Sequence, residues 1–112
     1  MNISYEGIGH LSVTFPAENG TVGHICTLNG QGKVCACADG DKMLGVVESV
    51  SGSAAGVQIA GFAKVAYSGA APAMGNTKLS ADGLGGVKAD EAGNAYWVVD
   101  ADAVGKTVII KL

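Results

Sequence analysis

Apolar and polar positions alternate along this chain in short runs, and most runs are closed by glycine. Leu11, Val13 and Phe15 alternate with Ser12 and Thr14 and stop at Pro16, the pattern of a strand with one buried face. Residues 23–28 and 33–38 flank Asn29-Gly30-Gln31-Gly32 and predict a hairpin. Residues 43–50 make a further strand. Residues 57–65 read as one strand, with Val57, Ile59, Ala63 and Val65 inward and Gln58 and Lys64 outward. Short strands follow at Leu79 and Val87, then at residues 94–100 and 106–112, and only Ala101 to Val104 has the character of a helical turn. About eight or nine short strands with Gly-rich turns point to an all-β fold, a small barrel or sandwich.

The pattern is stated twice. Gly23, Leu28, Gly32, Val34, Leu44, Val46, Val47, Gly56, Val57 and Ile59 are followed in the same order by a second set. That set is Gly75, Leu79, Gly85, Val87, Tyr96, Val98, Val99, Gly105, Val108 and Ile110. Self-similarity of this kind predicts an internal duplication, two related β-layers closing over one core. The expected core is Val13, Phe15, Ile25, Val34, Val47, Val57, Ile59, Val65, Val98, Val108 and Ile110. Residues 10–112 then form a single β domain, preceded by residues 1–9 as an extended N-terminal arm without strand periodicity.

Composition supports a folded chain with few chemical tools. The sequence has 112 residues, 48% of them hydrophobic but only 5% aromatic, so the core is aliphatic. Eighteen glycines punctuate the apolar runs instead of forming one tract. Seven lysines and no arginine face ten acids, a net charge of -3. Arginine is the preferred bidentate reader of phosphate and guanine, and no basic cluster replaces it, which argues against nucleic acid as a partner. No apolar run is long enough to span a membrane and no signal peptide opens the sequence, so synthesis in the cytoplasm is expected.

The sharpest chemical candidate is the set His24, Cys26, Cys35 and Cys37. If Leu28 pairs with Lys33, then Cys26 faces Cys35, His24 faces Cys37, and all four share one face of the hairpin. Three thiols and an imidazole suit zinc, although Cys-x-Cys on a flat strand splays its thiols where structural zinc sites wrap the ion. A Cys26–Cys35 disulfide and unligated core thiols are the other readings, and the last is preferred, so no metal or cofactor is expected. The acid pairs Asp39/Asp41, Asp90/Glu91 and Asp100/Asp102 sit beside Gly or Ala in turns, where solvation keeps carboxylates ordinary. Gly-x-Ser-x-Gly is absent and His10 stands between Gly9 and Leu11 without an evident nucleophile. Trp97 follows Tyr96 in a strand, so one of the two rings faces outward and is a candidate contact anchor.

Over roughly Phe15 to Leu112, the run from Gly23 to Gly52 with its Gly45–Val47 strand, the Val57–Val65 segment, the strand near Lys78–Leu79 and Thr107–Leu112 resembles small phage and prophage head-decoration proteins. The resemblance implies a virion protein on the capsid exterior, with the major capsid protein as partner and a homotrimer on the shell. It also implies no enzyme activity. Attachment would then fall to Ile3, Tyr5 and Ile8 of the arm and to Trp97. A tail or baseplate component, or a small non-catalytic β-barrel binding protein, is the alternative, and a metalloenzyme comes third.

Overall fold

The computed structural model describes residues 9–112, so the expectations for Ile3, Tyr5 and Ile8 lie outside the described residues. The strands are β1 (Leu11–Pro16), β2 (Ile25–Leu28), β3 (Val34–Ala36), β4 (Gly45–Ser51) and β5 (Ala54–Ala60). They continue with β6 (Phe62–Ala66), β7 (Gly75–Ala81), β8 (Val87–Ala89), β9 (Asn94–Asp102) and β10 (Thr107–Lys111). Two five-stranded antiparallel sheets result, ordered β1-β5-β4-β2-β3 and β6-β10-β9-β7-β8, and they pack in a sandwich-like arrangement. Of the two forms expected, the sandwich is the one observed: neither sheet closes into a barrel. A single parallel bridge, Ala17 to Val34 in the first sheet and Tyr67 to Val87 in the second, links the end of the first strand to the last in each order.

Adding five to each strand number of the first sheet gives the second, so the predicted duplication is present in the topology. The match extends to side chains. Asn29 Oδ1 accepts from the backbone N–H groups of Gln31 and Lys33, and Asp82 Oδ1 accepts in the same way from Leu84 and Gly86. Asn29 then donates to Glu18, as Asp82 accepts from Ser68. The N–H groups of Glu18 and Ser68 in turn donate to the carbonyls of Val34 and Val87 at 2.8 and 2.9 Å. Each unit starts earlier than the sequence pattern suggests, at β1 and β6 instead of Gly23 and Gly75. The residue matching also moves. Glu48 is bulged out between the pairs Val47–Val57 and Ser49–Gly56, and Val99 between Val98–Ile110 and Asp100–Ile109. Val47 therefore corresponds to Val98, not Val99, and Val57 to Ile110.

Each sheet curls around its own apolar cluster. Cys26, Val34, Val47, Ala55 and Val57 are buried in the first, with Phe15, Ala17, Leu44 and Ile59 packed against them. Ala63, Val65, Tyr67, Leu79, Ala81, Val87, Val98, Val108 and Ile110 are buried in the second. Ile25, Cys37 and Val46 leave the first unit's cluster and join the second's, which fastens the units together. Backbone bonds reinforce this junction: Ile25 N–H to Gly85 O at 3.0 Å, Gly40 N–H to Ala81 O at 2.8 Å and Ala81 N–H to Asp41 O at 3.0 Å. Of the expected core, Val13, Phe15 and Ile59 are only half-buried, because β1 is an edge strand and Ile59 lies near the end of β5.

The segment read as one strand over residues 57–65 is two. Gly61 takes φ 91°, a left-handed conformation that ends β5 and hands the chain to the other sheet as β6. Gln58, expected to face outward, is 5% exposed, and its Nε2 donates to the carbonyls of Ala60 and Phe62 across this crossing. Ala101 to Val104 forms no helical turn. Ala101 and Asp102 complete β9, and Asp102 Oδ1 accepts from the N–H groups of Val104 and Gly105 in the turn to β10.

Candidate interaction surface

The β2–β3 hairpin does not assemble the expected thiol set. Leu28 pairs with Val34, Thr27 with Cys35 and Cys26 with Ala36, one residue away from the register that the turn sequence suggested. Asn29 and Lys33 close a three-residue loop whose last member, Gly32, has φ 74°, and the odd loop length shifts every facing pair. Cys26 consequently points into the first unit's cluster, whereas Cys35 lies on the opposite face and Cys37 packs into the second unit's cluster. All three cysteines are free, and among the described residues no group of three or more His, Cys, Asp and Glu side chains is placed to hold a metal. Burial pushes the Cys26 thiol up to about 11 and, with the neighbouring Cys26 and Asp41 charges adding, Cys37 up to about 12. These thiols are packing groups and poor nucleophiles at neutral pH. His24 is exposed, its ring laid against Gly85 at the junction between the units.

The turn acids serve their own backbone. Asp90 accepts from Ser80 Oγ and from Ala92 N–H, and both bonds hold its carboxyl below the usual carboxylate range. Burial alone would raise Asp82, but the bonds from Ser68, Leu84 and Gly86 outweigh it and hold this carboxyl low as well. Asp39 pairs with Lys88 at 2.8 Å across the junction.

One cluster was not legible beforehand. His10 Nε2 lies 3.0 Å from Ser12 Oγ and 2.5 Å from Glu48 Oε1, and Ser12 donates to the same Glu48 oxygen at 2.7 Å. The bulge at Glu48 brings this carboxylate to β1, and no local motif signals that encounter. It is not the relay of a nucleophilic triad, in which acid and nucleophile engage different ring nitrogens.

What remains is a surface. Tyr96 packs against the core cluster while Trp97 is 53% exposed, as one of the two rings had to be. Trp97 pairs with Lys111 on β10 and Asn76 on β7, and Lys111 pairs with Phe62 on β6. Alternation and register put Lys64, Lys78 and Lys88 on this same outer face of the second sheet. An open hollow of about 400 Å³ adjoins it, lined in part by Asn76, Lys78 and Asp90. Lys64, Lys78 and Lys111 have no ion-pair partner among the described residues. An indole ring among lysines on an open sheet face suits protein contact: a large apolar anchor with a polar, charged rim.

No family model matches the chain, and no curated protein matches it.

Proposed function

We propose that this chain is a non-catalytic structural module that decorates the exterior of an assembled phage head shell, with the major capsid protein as its partner. The observation that carries the reading is the exposed Trp97 on an otherwise well-packed double-sheet unit. A protein whose thiols and turn acids serve packing and turn closure has its surface left for work. The sequence resemblance supplies the identity of that work. Decoration stabilises a shell because a bound copy adds free energy only to the assembled state, and contacts to several subunits multiply through effective concentration. Trp97 supplies one contact on the assembled shell, and Ile3, Tyr5 and Ile8 of the arm supply another.

Shell stability tests this directly. Expanded shells mixed with the chain should withstand heating to a higher temperature than shells alone, and the increment should saturate with added protein. Unchanged shell melting at saturating protein would remove the proposal. A genome in which the coding sequence neighbours tail genes, not portal and major capsid genes, would move the assignment to a tail or baseplate role.

A further inference from the structure

The internal repeat indicates what covers the Trp97 face. In the first sheet the cross-strand row Ser12–Gln58–Val46–Ile25 looks toward the second unit, and Gln58, Val46 and Ile25 are 5%, 6% and 1% exposed. The matched bulges and the pairings to β5 and β10 place Phe62, Lys111 and Trp97 at the positions of Ser12, Gln58 and Val46, while the β7–β8 hairpin sits two residues further along β9 than β2–β3 does along β4. That second row is uncovered, with Lys111 exposed and Trp97 53% exposed.

The cover on Ile25 comes from the β7–β8 hairpin. Gly85 O accepts from Ile25 N–H, and a Cβ added at Gly85 would collide with the His24 ring. The equivalent β2–β3 hairpin meets only its own unit among the described residues. Gly32 stands where Gly85 stands and has nothing within 4 Å of its Cβ position, and Leu28, equivalent to the buried Ala81, is 39% exposed. The molecule thus presents an uncovered face on one unit and an uncovered hairpin tip on the other. Together they are the repeat equivalents of a pair already joined inside it.

We infer that the Trp97 face of one copy receives the β2–β3 hairpin of a second copy, so that the internal junction continues from molecule to molecule. Lys111 beside Trp97 and Glu18 beside the hairpin tip are the opposite charges that this contact would bring together. The face offers Lys64, Lys78 and Lys111, which form no ion pair among the described residues, with Asp100 in the Lys64 row and Asp90 and Glu91 at its edge. The hairpin has Lys33 in its loop and Glu18 beside its tip, bonded to Asn29 Nδ2 at 2.8 Å. The first unit as a whole is acidic, with Glu18, Asp39, Asp41 and Glu48 against Lys33 and Lys42. The internal junction is already bridged by opposite charges at Asp39 and Lys88. Two different patches meet in such a contact, so the assembly is head-to-tail and closes into a ring or extends as a filament. The inference names the neighbour of Trp97 in the proposed decoration layer, but it concerns the free chain and is tested without shells.

Trp97 is the single tryptophan, so its emission reports the contact alone. In the full-length chain, emission should move to shorter wavelength and acrylamide quenching should fall from low-micromolar to near-millimolar protein. The sedimentation mass should rise over the same range. Lys111→Glu and Glu18→Lys should each weaken association about tenfold, the scale of one lost charge pair, and an equimolar mixture of the two should recover it. Recovery in the mixture identifies a head-to-tail contact, because each variant then supplies the patch that the other lacks. A chain that stays monomeric with unmoved emission throughout overturns the inference. So does association that Lys111→Glu abolishes but the mixture fails to restore, which would indicate a face-to-face pair.

Discussion

Val46 and Trp97 occupy the same place in two copies of one sheet. Each precedes the inward Val of its unit (Val47 or Val98) and a bulged residue, and each pairs across the strands with the residue next to the equivalents Val57 and Ile110. Val46 is 6% exposed because the second unit packs on it, and Trp97 is 53% exposed. The duplication therefore gave one position two duties, a buried seam residue and a surface anchor. Val46→Ala should destabilise the chain by about 1–3 kcal/mol, within the usual range for a truncated core residue. Trp97→Ala should cost under about 0.5 kcal/mol at concentrations where the chain is monomeric, as surface changes do. Urea unfolding of both variants checks the contrast.

Gly32 and Gly85 form a second matched pair. Both have left-handed backbones, φ 74° and 94°, so alanine at either adds conformational strain of about 1 kcal/mol. Only Gly85 is also pressed by the His24 ring. Gly85→Ala should be clearly more destabilising than Gly32→Ala in thermal unfolding, and equal losses would mean that the His24 contact contributes nothing to the junction.

Asp82 makes acid stability depend on one turn. Its carboxyl titrates below the ordinary 3.8 in the folded chain, so the stability it contributes is full above that value and is lost as pH falls through the folded-state value. Asp82→Asn reproduces the chemistry of Asn29, keeping an oxygen for the Leu84 and Gly86 N–H groups. This variant should lose little at neutral pH and show a flatter acid limb. Asp82→Ala, which orphans those donors, should lose about 1–3 kcal/mol.

The thiols set the alkaline limb. Cys26 and Cys37 titrate at about 11 and about 12 when folded against 9.0 when free. The folded state thus favours the neutral thiol, and that stability is complete below about pH 9 and declines as pH rises toward the folded-state values. Alanine at both positions should flatten the decline above pH 9 while lowering stability at neutral pH through lost packing. A chelator should leave wild-type melting unchanged.

Much of the fold was legible because aliphatic alternation and Gly-x-Val turns report buried faces directly. Leu11–Pro16, the hairpin around Asn29, the short strands at Leu79 and Val87 and the duplicated order of Val positions could be read in this way. The errors share a cause: one residue of slippage is invisible to composition but reverses a face. The sequence Asn29-Gly30-Gln31-Gly32 looks like an even turn, yet Gly32 in the left-handed region makes the loop odd and separates Cys26 from Cys35. Gly61 inside an unbroken apolar alternation gave no sign of the change of sheet, because a glycine is tolerated in either setting. The bulge at Glu48 depends on β4 meeting β5, and with it the His10–Ser12–Glu48 cluster stayed hidden. The clue most worth using was the shared Asn/Asp-Gly-x-Gly-x-Val at Asn29 and Asp82, which fixes the repeat register without any structure.

Co-sedimentation with expanded, undecorated head shells tests the central claim most directly. The full-length chain should pellet with the shells, saturate at a fixed ratio to the shell subunit, and lose affinity when residues 1–9 are removed without a change in its own melting. Recovery in the pellet no greater than for the chain spun alone, at concentrations well above those needed for saturation of known shell-binding proteins, would contradict it.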